Sequence, residues 1–297
     1  MARSFTRREA IQGLAVGGAA MAASQIILPN ANAQDSEETG ANAPLKGNIN
    51  HSVCRWCYNS VPLDELCVAA KAMGILSIEL QGPDEWPLLK EHGLTCAIGN
   101  GAGMGIQRGF NRPEYHDALV EDYEKLIPQA AEADIPSVIC FSGNREGMDD
   151  ETGLANCAVG LKRLMPICEE HGVNLTMELL NSFGHKDYMC DHTAWGVALA
   201  EEVGSERFGL LYDVFHMQIM EGNIIDTIKK SAPHIHHYHT GGVPGRAEID
   251  DTQEIYYPAV MRAIVETGYT GFVGHEFIPR KEDKLESLRQ GVLICDV

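Results

Sequence analysis

VNLTMELL (173–180), FGLLYD (208–213), HIHHYHT (234–240) and GFVGHEF (271–277) decide the fold. Each is a short run dominated by apolar and β-branched or aromatic residues, as expected of strands in a parallel sheet. Helix-length stretches near 192–203, 217–231, 257–267 and 281–292 separate and follow them. The same alternation extends upstream. A strand near Asn50–Trp56 leads through Val61-Pro62-Leu63-Asp64 into a helix to about Met73. LSIEL (76–80) is the second strand, and the helix from Asp84 to His92 stops at Gly93, a usual C-terminal glycine. LTCAIG (94–99) is the third strand, followed by a loop with Gly99, Gly101, Gly103 and Gly105 and a helix from Arg112 to about Ala133. PSVICF (136–141) is the fourth, with a helix from about Glu151 to His171. Eight strand–helix units without a composition break predict an α/β fold, a single (β/α)₈ TIM barrel over residues 48–297. A two-domain chain is thereby disfavoured. The glycine loop has neither the dinucleotide nor the P-loop spacing, so a nucleotide site lacks support.

The 297 residues carry 23 Lys+Arg against 42 Asp+Glu, a formal charge of −19. Such a surface repels phosphate backbones and argues against nucleic acid as a partner. Residues 1–33 read as an export leader: Arg3, Arg7 and Arg8, then the apolar run from Gly13 to Ala23, then Ala31-Asn32-Ala33. Paired Arg7 and Arg8 in SFTRREAI resemble a twin-arginine signal, which implies export of an already folded protein to the periplasm or another extracytoplasmic space. The apolar run is about half the ~20 residues that span a bilayer, so no stable membrane anchor is expected. Residues 34–47 read as a linker. Nine cysteines are an odd number, most within apolar runs, which points to buried free thiols rather than disulfides. Cys54 and Cys57 form a lone C-x-x-C without a partner pair at zinc-site spacing.

Barrel enzymes carry their chemistry at the C-terminal ends of the strands. There the fifth strand offers Glu178, the sixth Asp213, the seventh His239 and the eighth Glu276. Singly, an acidic residue at a strand end reads as a helix cap or a solvated charge, and HIHHYH reads as a surface histidine tract. Together, four donors from adjacent strands converge on one point, and carboxylate oxygens with one imidazole suit a hard divalent cation, Mn²⁺, Mg²⁺ or Co²⁺. His216 follows Asp213 by three residues, and Arg246 stands in the loop after the His239 strand. A guanidinium there can clamp a carboxylate or hydroxyl pair, or pair at the surface with Glu248 or Asp250.

MELLNS (177–182), YDVFHMQ (212–218), HYHTGGVPGR (237–246), QEIYYPAV (253–260) and GYTGFVGHEFIPR (268–280) resemble the hydroxypyruvate isomerases of the xylose isomerase-like barrel superfamily. The likeness runs from about His51 to Arg280 and includes VPLDELCVAAKAMGILSIEL (61–80) and CFSGN (140–144). It implies a divalent metal on Glu178, Asp213, His239 and Glu276, with Glu178 and Glu276 as the acid/base pair and His216 and Arg246 contacting substrate. The implied reaction is aldose–ketose isomerisation by proton transfer through an enediolate, hydroxypyruvate going to tartronate semialdehyde. The family's hydroxypyruvate isomerases commonly have Gln where His239 stands, whereas related ketose 3-epimerases have His. A 3-epimerase or isomerase acting on a larger sugar or keto-sugar is therefore the alternative. Two other classes are an apurinic-site endonuclease, against which the acidic charge argues, and a non-catalytic sugar-binding barrel, against which the retained glutamate pair argues. The expected partner is a small hydroxy-keto acid or sugar; a homo-oligomer stays open.

Overall fold

The computed structural model describes residues 44–297, so the expected export leader (1–33) and most of the expected linker (34–47) lie outside the described residues. Seven parallel strands form one sheet: β1 (Asn50–Cys54), β2 (Ser77–Glu79), β3 (Ser137–Cys140), β4 (Asn174–Glu178), β5 (Phe208–Asp213), β6 (Ile235–Thr240) and β7 (Phe272–His275). Their order is β2-β1-β7-β6-β5-β4-β3. The expected third strand is reduced to two bridges. Thr95 pairs with Ser77 on the β2 edge and Gly99 with Val138 on the β3 edge, so segment 94–99 spans the gap between the two sheet edges. Ile78 N donates to Thr95 O at 3.1 Å and Ile139 N to Gly99 O at 3.0 Å. Leu80 N also donates to Ile98 O and Gly99 N to Ser137 O, both at 2.8 Å, so the segment pairs with each edge over only part of its length.

Ten helices cover the outside: α1 (Leu63–Ala72), α2 (Trp86–Glu91), α3 (His116–Glu132), α4 (Asp150–Lys162), α5 (Met165–His171), α6 (Thr193–Val203), α7 (Val214–Met220), α8 (Ile224–Ser231), α9 (Tyr257–Glu266) and α10 (Lys284–Cys295). Two expected helices are each split. The stretch from Glu151 to His171 breaks after Lys162, where Pro166 sits in the first turn of α5 and suits only a helix start. The stretch 217–231 begins earlier, at Val214, and breaks at Gly222 and Asn223, both with left-handed φ (62° and 47°). In α3 Leu119, Val120, Tyr123, Ile127 and Ala130 are buried at helical spacing, so one stripe faces the sheet.

Period-two alternation separates two layers. Leu175 and Met177 of β4, Leu210 and Tyr212 of β5, Tyr238 of β6 and Val273 of β7 belong to the large apolar core under the helices. The alternate positions face the lumen and are mostly polar: Ser77 and Glu79, Ser137, Thr176 and Glu178, His237 and His239, all buried. Ser137 Oγ and Thr176 Oγ1, on the neighbouring strands β3 and β4, meet at 2.6 Å in the lumen. All nine cysteines are free and buried. Where the barrel begins and ends, Lys46 N donates to Asp296 Oδ1 at 2.9 Å and Asn48 Nδ2 to the Val297 carbonyl at 2.8 Å. Among the described residues no helix is long and apolar enough to cross a membrane.

Two histidines outside the lumen are held neutral. Burial pushes His51 down to about 4 despite Asp296, and burial with Arg207 and His234 pushes His236 down to about 4. The unfolded chain therefore takes up protons between pH 6.5 and 4 that the folded chain refuses, so their stabilisation is complete above pH 6.5 and is lost as pH falls. The limit is about 3 kcal/mol per histidine. Urea titrations from pH 7 to about 4 should show the midpoint falling, and His51→Asn should flatten that slope.

Candidate active site

Glu178 ends β4, Asp213 ends β5, His239 is the penultimate residue of β6, and Glu276 lies one residue beyond β7. Glu276 N still donates to Thr240 O at 3.0 Å, so the ladder fixes its backbone although the strand proper stops at His275. One donor atom from each of the four lies within 4.8 Å of the others, and all four residues are buried. His239 Nδ1 stands 2.8 Å from Glu276 Oε2 and 3.7 Å from Glu178 Oε1.

Asp213 has two functions at once. Its Oδ1 caps α7 by accepting from Phe215 N at 2.8 Å, as a strand-end carboxylate often does, while Oδ2 faces the cluster. Arg246 reaches the same point with a positive φ of 56° in the turn after β6. It does not pair with Glu248, which accepts from Arg280 N and Lys281 N, or with Asp250, which pairs with Lys281. Instead Nη2 donates to Asp213 Oδ2 at 3.0 Å and to Glu276 Oε2. Its guanidinium carbon lies 5.2 Å from the ring centres of both Trp56 and Phe215, which hold the cation between two aromatic faces.

Burial pushes the Glu178 carboxyl up, and Glu276 adds to that, with His239 opposing. Burial also raises Asp213, to about 7, against the pull of Arg246. At Glu276 burial works the same way but Arg246 and His239 outweigh it and hold the carboxyl well below the usual range. Burial likewise opposes charge on His239, and Cys54, Glu276 and Glu79 together drive it well above the imidazole range. Three buried carboxylates thus face one guanidinium, and Glu178 Oε1 has no hydrogen-bond partner. Excess buried negative charge and an orphaned oxygen fit a divalent cation.

A cavity of about 590 Å³ opens above the cluster. Glu178, Glu276, Arg246 and His185 form its polar side; Leu80, Ile106, Ile139, Phe141 and Leu180 form an apolar side, and Trp56 lies at its edge. The glycine loop after segment 94–99 lines it too. A Cβ on Gly101 would stand 2.0 Å from the Ile139 carbonyl oxygen and 2.5 Å from Tyr123 Oη, so only glycine lets this loop lie so close to β3. His216 is brought to the cluster but not to the cavity wall. Its Nδ1 accepts from Asn181 N at 3.0 Å, its Nε2 is 3.5 Å from Asp213 Oδ2, and His185 stacks edge-on against it at 5.4 Å.

Several neighbours carry no signal in the sequence. Trp56 Nε1 donates to Glu276 Oε1 at 2.8 Å, and His185 lines the cavity in the place expected of His216. Trp56 lies in a single 3₁₀ turn, Arg55–Tyr58, and His185 in a loop, neither long enough for periodicity to tell which way a side chain points. Glu79, Cys54 and His237 pack beneath His239. Glu79 does carry a signal in the sequence: in LSIEL it is followed by a leucine at the strand end, as Glu178 is in MELL.

Among curated proteins, one at 30% identity over 267 residues is a "Putative hydroxypyruvate isomerase" from Mus musculus, covering 83% of this chain and 94% of the relative. Another, 26% identical over 238 residues and covering 75% and 89%, is a "2-oxo-tetronate isomerase" from Pectobacterium atrosepticum. Of solved structures, the crystal structure of an AP endonuclease of family 2 from Brucella melitensis superimposes with a TM-score of 0.73 at 23% identity, over 82% of this chain and 99% of that one. That likeness shows the fold alone. The relatives define an isomerase of the hydroxypyruvate isomerase-like class. The chain belongs to the xylose isomerase-like TIM barrel family, which matches residues 69–293.

Trp56→Phe keeps a ring beside Arg246 and removes only the N–H given to Glu276. Hydrogen bonds to charged groups contribute about 1.5–3 kcal/mol, so the Glu276 carboxyl should titrate at least about one pH unit higher by ¹³C NMR. An unchanged titration would show that the bond does not form in solution.

Proposed function

We propose that this isomerase is divalent-metal-dependent and moves a proton between adjacent carbons of a small hydroxy-keto acid or sugar, with hydroxypyruvate to tartronate semialdehyde as the first reading. The observation that carries it is the pair Glu178 and Glu276, buried on one cavity wall with opposite protonation tendencies. Environments that drive two carboxyls apart assign one to hold a proton and the other to accept one. Glu178, Asp213, His239 and Glu276 would hold the cation. When bound, the cation supplies Lewis-acid polarisation of a carbonyl oxygen.

The chain's own groups do the rest. Glu276, fixed through Oε1 by Trp56 and through Oε2 by Arg246 and His239, keeps an oriented carboxylate at the cavity floor. Glu178 lies across the cluster with a free oxygen, placed to return a proton to the neighbouring carbon. Arg246 commits Nη2 to the carboxylates, which leaves Nη1 to meet a substrate carboxylate or hydroxyl pair. His216, locked by Asn181 and held neutral chiefly by burial, stands 3.5 Å behind Asp213, and His185 takes the cavity-facing position.

A larger substrate is the second reading, favoured by a cavity of about 590 Å³, far more than a three-carbon acid fills. His239 in place of the glutamine common in hydroxypyruvate isomerases points the same way, towards a ketose epimerase. NMR in D₂O with hydroxypyruvate and a panel of ketoses decides between them, since deuterium enters at the carbon that exchanges. Glu178→Gln and Glu276→Gln should each remain folded and lose at least about 10²-fold in exchange and turnover; full turnover by either variant would refute the assignment. A chelator should abolish activity and Mn²⁺, Mg²⁺ or Co²⁺ restore it.

We also propose that residues 1–33 direct twin-arginine export. Arg7→Lys with Arg8→Lys should leave the protein in the cytoplasmic fraction, and unchanged export would remove this reading.

A further inference from the structure

Beneath the cluster lies a group that the proposed chemistry does not use. Glu79, the last residue of β2, is fully buried in the lumen. Its Oε1 stands 2.7 Å from His239 Nε2 and its Oε2 stands 3.1 Å from His237 Nε2. Cys54 Sγ also donates to Oε1, at 3.1 Å. We propose that Glu79 is a positioning residue for the metal centre: it keeps a proton on Nε2 of His239, so that Nδ1, which faces Glu178, Asp213 and Glu276, is the nitrogen a cation would take.

The argument is one of donors and acceptors. A neutral imidazole has one N–H and one lone pair, and a carboxylate can only accept. With Glu79 against Nε2, the N–H must lie there. Nδ1 faces Glu276 Oε2 at 2.8 Å in the same way, so without a cation both nitrogens carry protons, and a cation at the cluster would displace the one on Nδ1 while Glu79 keeps the one on Nε2. A carboxylate rather than an amide is required because it presents only acceptors to Nε2. Glutamine has the same size but can turn its NH₂ group towards Nε2, which would move the proton to Nδ1.

Gly274 shows that the room for this carboxylate is built into the fold. A Cβ there would stand 2.0 Å from Glu79 Oε1 and 2.9 Å from His239 Cδ2. Its φ is not in the left-handed region, so what glycine provides here is space and not backbone freedom. The glycine two residues before Glu276 therefore serves β2 as much as its own strand.

The inference rests on the metal reading above, and the experiment separates the two. Long-range ¹H–¹⁵N spectra of wild-type protein, with and without Mg²⁺, report which nitrogen of His239 carries the proton. A proton kept on Nε2 while Mg²⁺ removes the one on Nδ1 supports the proposal; a bare Nε2 overturns it whatever the variants do. If neither Mg²⁺ nor Mn²⁺ binds, the metal reading fails, and the metal-free spectra of wild type and Glu79→Gln still decide the role of Glu79: loss of the Nε2 proton in the variant alone supports it, and no difference overturns it. Calorimetry with Mn²⁺ should show Glu79→Gln and Gly274→Ala each binding about 10- to 100-fold more weakly, with circular dichroism unchanged. The double variant should be no weaker than the weaker single one, because both act through the same carboxylate. A folded Glu79→Gln protein with wild-type Mn²⁺ affinity would overturn the proposal, and should Glu79→Gln not fold, wild-type affinity in Gly274→Ala would overturn it equally.

Discussion

Three carboxylates buried at one barrel mouth are the constraint to which the surrounding structure answers. Ionised groups removed from water cost several kcal/mol each unless something opposes them. Here the opposition comes from several directions. Arg246 supplies a cation clamped between Trp56 and Phe215, His239 an imidazole, Phe215 a backbone N–H and Trp56 an indole N–H. Even so, Asp213 is pushed up to about 7, mainly by burial, and Glu178 keeps an orphaned oxygen. The polar lumen is part of the same arrangement, since Glu79 and His237 extend the charged contacts downward where the layers of a typical barrel would be branched aliphatics.

Much of this was legible in the sequence, because parallel strands leave a plain trace. MELL, LLYD and HYH place Glu178, Asp213 and His239 in one phase, and period two then fixes which face they share. The helices were legible as apolar stripes, but not their interruptions. Pro166 and the pair Gly222–Asn223 break stretches whose composition is otherwise helical, and both signals are local and easily outweighed. The third strand failed as a ladder because it crosses from the β2 edge to the β3 edge and pairs with each over only part of its length, which depends on closure of the sheet and not on its own composition. Glu79 could have been found by carrying the phase argument to the second strand. Trp56, His185 and the inward turn of Arg246 could not, since loop direction is set by tertiary contacts.

The cavity explains why the glycine loop has no nucleotide spacing and yet matters. Gly101 lets main chain lie against β3, and the loop then walls the side of the cavity away from the carboxylates. Polar chemistry is confined to one wall while the other is apolar. A substrate is thereby oriented by its oxygens at one end and accommodated by shape at the other, an arrangement that holds the reacting carbons firmly and constrains the remainder of the molecule less.

The clasp between Lys46 and Asp296, with Asn48 on the Val297 carbonyl, brings the two ends of the barrel together beside the starting residues of β1. The site lies at the opposite ends of the strands. Anything attached at either end, whether a surface, a fluorophore or a second protein, would stand on the floor and leave the mouth clear. The same proximity makes the barrel a candidate for circular permutation: a short bridge could join the ends, and new ones could be cut in an exposed turn without disturbing a single strand.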